Sequence, residues 1–276
     1  MARFALTIVR HGETRYNKEK LLQGQGIDEP LSEMGVKQAE AAGRFLSNVM
    51  FTHVFSSDLI RAKQTACIIM KNNQLCEPIA IKYDCRLRER KYGNAEGRPL
   101  SELKAMAKQS GQQCPSYTPP GGETLEQVRA RAKDFFKYLC QLVFEELRSK
   151  DQSELGATGI SKISSSDLFP FVNHSSNAIP HNTNDNHVPL DANILLVSHG
   201  AYMRNWIKYF VEDLQFTFPP NLKMSRELSV SPNTGISHFI VNVESEEPFK
   251  PKIHCVCINR HDHLADMNAD TSHYVV

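Results

Sequence analysis

"NILLVSHGAYMRNWIKYF", residues 193–210, sets the fold class. Its apolar run, Ile194 to Val197, suits a short strand buried on both faces. The run stops at Ser198-His199-Gly200, after which Met203, Trp206, Ile207 and Phe210 recur on one helical face. The chain repeats this strand-to-helix unit twice more. Phe4 to Val9 reads as a buried strand ending in Arg10-His11-Gly12, and Ser32 caps a helix with apolar positions at Val36, Ala39, Gly43 and Leu46. Thr52 to Phe55 reads as a strand ending in Ser56-Ser57-Asp58, a group able to cap a helix continuing from Ile60 to Met70. Strands alternating with helices predict an α/β fold, a three-layer α/β/α sandwich around a mostly parallel sheet.

The remaining segments fit the same plan. Pro78 to Tyr83 is strand-like, and "RLRERKYGNAEG" (86–97), charged and without a period, reads as a loop. Thr124 and Gln127 form a capping-box pattern before a stripe of Val128, Ala132, Phe135, Leu139 and Leu142. "GISHFIVNV" (235–243) and "KIHCVCIN" (252–259) read as strands. The second places Ile253, Cys255 and Cys257 on an inner face, a reading preferred over a metal site with His254, His261 and His263.

Residues 149–191 are rich in Ser, Asn, His and Pro and cannot repay their ordering entropy by burial. They read as a flexible polar insertion, with His174, His181 and His187 as solvated loop residues. Because 193–210 resumes the core pattern, residues 1–262 are expected to form a single domain, and 263–276 a loose tail. Its last residues, Tyr274-Val275-Val276, read as frayed chain rather than a peptide ligand.

A net charge of +1 over 276 residues gives no global field toward nucleic acid. No run approaches the ~18 apolar residues of a membrane span. Seven scattered cysteines without a CxxC pair, and no secretory signal, predict a reducing compartment: cytoplasmic, or another intracellular one.

In open α/β sheets ligands bind beyond the carboxyl ends of the strands. Three such ends carry Arg10-His11-Gly12, Ser57-Asp58 with Arg61 one turn on, and Ser198-His199-Gly200. Two arginines and two histidines delivered together, beside helix N-termini, make a pocket for an anion. Singly, each has an ordinary structural explanation; their recurrence in one pattern argues for a site.

"RHGET", "SSDLIRAKQTA", "RLRERKYGNAEG" and "VSHGAYMR" resemble, in order, the four signature segments of the histidine phosphatase superfamily. That family includes phosphoglycerate mutases and fructose-2,6-bisphosphatases, and the resemblance spans about Phe4 to Ile240, insertion aside. It implies a phosphoglycerate mutase-like fold and a metal-independent phosphatase with no cofactor, acting on small phosphorylated metabolites. His11 would be the nucleophile, Glu89 the general acid/base, His199 the stabiliser of the transition state, and Arg10 and Arg61 the phosphoryl clamps. Asn17, Gly24, Tyr92, Gly200 and Arg204 would bind substrate, Arg204 as a candidate for a second phosphate. Arg86, Arg88, Arg90 and Lys91 flank Glu89 and favour a charged carboxylate, which a bound phosphate would oppose. No Lys or Arg occurs from Gln109 to Leu125, where the family's mutases carry extra basic residues. That favours a hydrolase, and the resemblance implies release of the 2-phosphate of fructose-2,6-bisphosphate, with lower glycolytic flux as the consequence. The alternatives are a 2,3-bisphosphoglycerate phosphatase, a phosphoglycerate mutase-type enzyme, or a scaffold with a decayed site.

Overall fold

Residues 4–9 and 194–197, in two neighbouring parallel strands at the centre of the sheet, are apolar almost throughout because helices cover both of their faces. A computed structural model describes residues 1–153, 189–218, 229–244 and 250–267. Its strands are β1 (Ala2–Arg10), β2 (His53–Ser56), β3 (Ile81–Tyr83), β4 (Ala192–Ser198), β5 (Gln215–Thr217), β6 (Ile236–Val243) and β7 (Pro251–Arg260). They form one sheet in the order β3-β2-β4-β1-β6-β7-β5, and among the described residues only β6 runs against the others.

Side chains alternate across this sheet. Phe4, Leu6 and Ile8 of β1 and Ile194 and Leu196 of β4 meet α5 (Leu125–Ser153) and α6 (Gly200–Asp213), with Phe135, Trp206 and Phe210 at the centre. Val9, Leu195 and Val197 point the other way, onto α2 (Glu33–Phe45) and α3 (Ile60–Lys71) through Ala42, Leu46, Ala62, Ala66 and Ile69. The expected three layers are therefore present. Two further helices, α1 (Arg15–Lys18) and α4 (Leu100–Gln109), lie outside this core.

Several local expectations are corrected by contacts from distant segments. Val36 is 36% exposed, and Val143, not the half-buried Leu142, closes the apolar stripe of α5. The first N–H of α3 is capped by Asp28 (Ile60 N to Oδ1, 2.7 Å), while Ser57 Oγ accepts the N–H of Leu59. A register shift between β6 and β7 makes Val256 an extra residue, so Cys257 leaves the face of Ile253 and Cys255 and packs on the α2/α3 side. α5 continues to Ser153, and Leu190 is buried beside β1, so the polar insertion is narrower than 149–191. A 3₁₀ turn over Asp262–Met267 buries Leu264, so the tail is not loose from 263. His174, His181, His187 and Tyr274 to Val276 lie outside the described residues.

Candidate active site

The order β2-β4-β1 brings three strand ends side by side, in register: Ser56 opposite Val197, and Ser198 opposite Arg10. The residue after each strand enters the site, giving Ser57, His199 and His11. All three are buried, and the His11 and His199 rings stand 5.1 Å apart between centroids.

His11 Nδ1 lies 2.7 Å from the carbonyl of Gly12. A carbonyl only accepts, so the proton sits on Nδ1 and Nε2 carries the lone pair. Burial, then the charges of Arg61 and Arg10, hold the His11 pKa well below its ordinary value, which keeps the ring neutral. The His11 backbone is fixed too. Its N–H donates to Ser198 O (2.9 Å), and its carbonyl accepts from Asn233 Nδ2 (3.1 Å) and Thr234 N (3.3 Å).

His199 is held neutral in the same way, by burial and the field of Arg61. Its Nε2 pairs with Ser57 Oγ at 2.8 Å, and its buried Nδ1 has no hydrogen-bond partner among the described residues. Arg61, 1% exposed, is aimed by the carbonyls of Gly24 (2.9 Å) and Ile27 (3.1 Å). Burial lowers its pKa to about 10, so it remains a cation at neutral pH. Arg10 Nη1 donates to Ser231 O at 2.6 Å.

Glu89 sits on the N-terminus of α6. Its Oε1 accepts from Tyr202 N (2.9 Å) and Arg90 N (2.8 Å), and its Oε2 from Ala201 N (3.1 Å). The free N–H groups of a helix start suit a carboxylate. The flanking arginines, expected to act on Glu89, are committed elsewhere. Arg86 pairs with Asp84 and Asp134, Arg88 with Asp58, and Arg90 with the carbonyls of Pro115, Tyr117 and Glu123.

Glycines set the close approaches. Gly24 has φ +57°, and a Cβ there would lie 2.0 Å from Glu96 Oε1. Glu96 in turn accepts the N–H of Gln25, Gly26 and Tyr92, pinning the loop that aims Arg61. A Cβ on Gly200 would meet Val230 Cγ1 at 2.6 Å and Arg10 Nε at 3.3 Å. Gly12 does not open space for a ligand: its Cβ position faces the carbonyl of Gly35 at 2.5 Å, where α2 crosses the loop.

Asn17 Oδ1 accepts from Thr14 N (3.2 Å) and Asn233 Nδ2 (3.3 Å), so its Nδ2 is the group suited to a phosphate oxygen. Tyr92 is half-buried near Glu89 and Arg10, and burial raises its phenol pKa. Arg204 lies one turn along α6 from Gly200, and no hydrogen bond among the described residues ties it to the site. Ser57 and the 231–235 loop are participants that sequence reasoning missed. Ser57 resembled a helix cap, and residues 231–235 (SPNTG) carry no ionisable side chain to mark them. His263 pairs with Thr234, and no metal-ligand cluster of three His, Cys, Asp or Glu forms among the described residues.

Neutral buried histidines, two arginines and a carboxylate at the carboxyl edge of a mostly parallel sheet suit phosphoryl transfer. A family model for the histidine phosphatase superfamily, branch 1, matches residues 6–146, and the chain belongs to that family. It is 77% identical over its whole length to the full length of "Fructose-2,6-bisphosphatase TIGAR" of Xenopus laevis. It is 53% identical to the protein of the same name from Bos taurus, over 97% of this chain and 99% of that one. The fold matches the phosphoglycerate mutase of Bacillus anthracis str. Sterne with a TM-score of 0.59 at 19% identity, covering 96% of each chain. Among the described residues no helix is long and apolar enough to cross a membrane.

Proposed function

We propose that this chain hydrolyses the 2-phosphate of fructose-2,6-bisphosphate in two displacements through a phosphohistidine on His11. The observation that carries the mechanism is the lock on that ring: Nδ1 is engaged with Gly12 O at 2.7 Å, which presents Nε2 as the nucleophile. The substrate is supported by the full-length likeness to relatives named for it.

Nε2 attacks phosphorus, and the phosphorus–oxygen bond to the sugar breaks. The departing oxygen takes a proton from Glu89, and Arg10, Arg61 and an Nδ1–H of His199 bind the phosphoryl oxygens as charge spreads over them. Glu89 then deprotonates a water, which displaces phosphate from His11 and restores the free ring. Asn17 and the backbone near Gly24 and Gly200 orient the phosphoryl group, Tyr92 borders the sugar, and Arg204 receives the second phosphate. Hydrolysis rather than transfer is supported by the 109–125 segment, which lacks Lys and Arg and is tied to Arg90 through its carbonyls.

The described segments act together as one histidine phosphatase domain on small phosphorylated metabolites. A cytoplasmic setting is supported by seven free cysteines. A phosphate-release screen over sugar bisphosphates and 2,3-bisphosphoglycerate tests the reading. Release from fructose-2,6-bisphosphate that His11→Ala abolishes is expected; background rates for every sugar bisphosphate would overturn it.

A further inference from the structure

Arg131, on α5, spends all five of its N–H donors around the loop that carries Glu89. Nη1 donates to the carbonyls of Arg86 (2.8 Å) and Arg88 (2.5 Å), and Nη2 to the carbonyl of Glu89 (3.0 Å). The remaining two reach Glu123, at 3.0 Å each from Nε and Nη2. Glu123 Oε2 also accepts from Lys91 N (2.9 Å) and Gln25 Nε2 (3.1 Å), and the same Gln25 nitrogen donates to Glu89 O (2.8 Å). The guanidinium stacks 4.8 Å over the ring of Tyr202, the residue whose N–H binds the Glu89 carboxylate. One side chain thus grips both the backbone that bears Glu89 and the helix end that receives its carboxylate. A planar, forked cation is needed for this; a lysine cannot reach three carbonyls and a carboxylate together.

We propose that Arg131, braced by Glu123, is a positioning residue for the acid–base step, holding Glu89 where it protonates the departing oxygen and deprotonates water. This deepens the proposed function and rests on the roles of His11 and Glu89 given there.

The test compares the wild type with Arg131→Met, Arg131→Lys, Glu123→Gln and Glu89→Gln. Each is given fructose-2,6-bisphosphate and p-nitrophenyl phosphate, whose leaving group needs no proton. Melting curves check folding. Misplacing Glu89 lowers kcat on the sugar bisphosphate by about 10–100-fold with little change in KM, a partial loss of the roughly 10²–10⁴-fold that general acid–base catalysis contributes. A rapid burst of nitrophenol persists while phosphohistidine accumulates, because attack by His11 survives and its hydrolysis does not. Arg131→Met is expected to share this signature with Glu89→Gln, and Arg131→Lys and Glu123→Gln to show it more weakly. Should Arg131→Met not fold, the other two variants decide.

Equal losses of burst and steady-state rate, or wild-type turnover, in the folded Arg131 and Glu123 variants overturn the positioning role. If Glu89→Gln itself lacks the signature, the acid–base assignment fails and the positioning role with it. If Glu89→Gln shows it and the others do not, only the positioning role fails.

Discussion

Ser57 Oγ lies 2.8 Å from Nε2 of His199, and the opposite nitrogen of that ring is buried without a partner among the described residues. Ser57 Oγ accepts the N–H of Leu59, and its own hydrogen can be donated to Nε2. With the Ser57 hydroxyl as donor, the ring proton sits on Nδ1, the atom able to meet a phosphoryl oxygen. Ser57→Ala frees the tautomer and leaves Nε2 unpaired. The expected loss is about tenfold in kcat/KM, the value of one hydrogen bond of roughly 1–1.5 kcal/mol, with the fold retained. Steady-state kinetics measure it, and ¹⁵N NMR of the imidazoles reports the tautomer. Unchanged kcat/KM would remove Ser57 from the mechanism.

Gly200→Ala should act through Arg10. The new methyl would stand 3.3 Å from Arg10 Nε and 2.6 Å from Val230 Cγ1, so the clamp or the 230 segment must shift. Misplacing one charged donor on a phosphoryl group costs about 10²–10³ in rate. Kinetics at saturating substrate, with a melting curve to confirm folding, would show it. Wild-type kcat would mean that Arg10 tolerates displacement.

The pH dependence has a defined sign. Burial lowers the pKa of His11 and His199 well below the ordinary value near 6.5, of His263 to about 4 and of His238 to about 3. The unfolded chain takes up protons near pH 6.5 and the folded one does not. Stability is therefore full above about pH 6.5 and falls as pH drops toward 4 and then 3. Urea midpoints should be lower at pH 5 than at pH 7.5, and His238→Asn should shallow the slope by up to one proton. A midpoint that rises on acidification contradicts these assignments.

Asp28 is the cap of α3, from 32 residues away. Asp28→Ala should cost about 1 kcal/mol of stability, as loss of a capping carboxylate typically does. Thermal or urea unfolding measures this. Activity should fall as well, since residues 24–28 also carry the carbonyls of Gly24 and Ile27 that aim Arg61. Full stability would leave the helix capped by Ser57 alone.

The strands and helices at Leu6 to Val9, Ile194 to Val197 and Met203 to Phe210 were legible because burial on both faces, or on one helical stripe, writes a local pattern. His11 and His199 were legible because each directly follows a strand end, Arg10 because it closes β1, and Arg61 because it lies in the first turn of the helix after β2. What the sequence concealed depends on partners far along the chain. Ser57 has the same signature whether it caps a helix or holds an imidazole. Asp28 and Arg131 carry no local mark of the backbone they bind. Cys257 changed face because a bulge against β6 broke the alternation, and Leu264 is buried by packing that the polar tail composition does not announce.

The most direct test is to trap the covalent intermediate. Wild-type protein is mixed with fructose-2,6-bisphosphate labelled at the 2-phosphate and quenched with alkali within one turnover, then digested and mapped. An acid-labile, alkali-stable label on His11 is expected, accumulating in Glu89→Gln and missing in His11→Ala. Label on another residue, or undiminished phosphate release by His11→Ala, would contradict the assignment of His11 as the nucleophile.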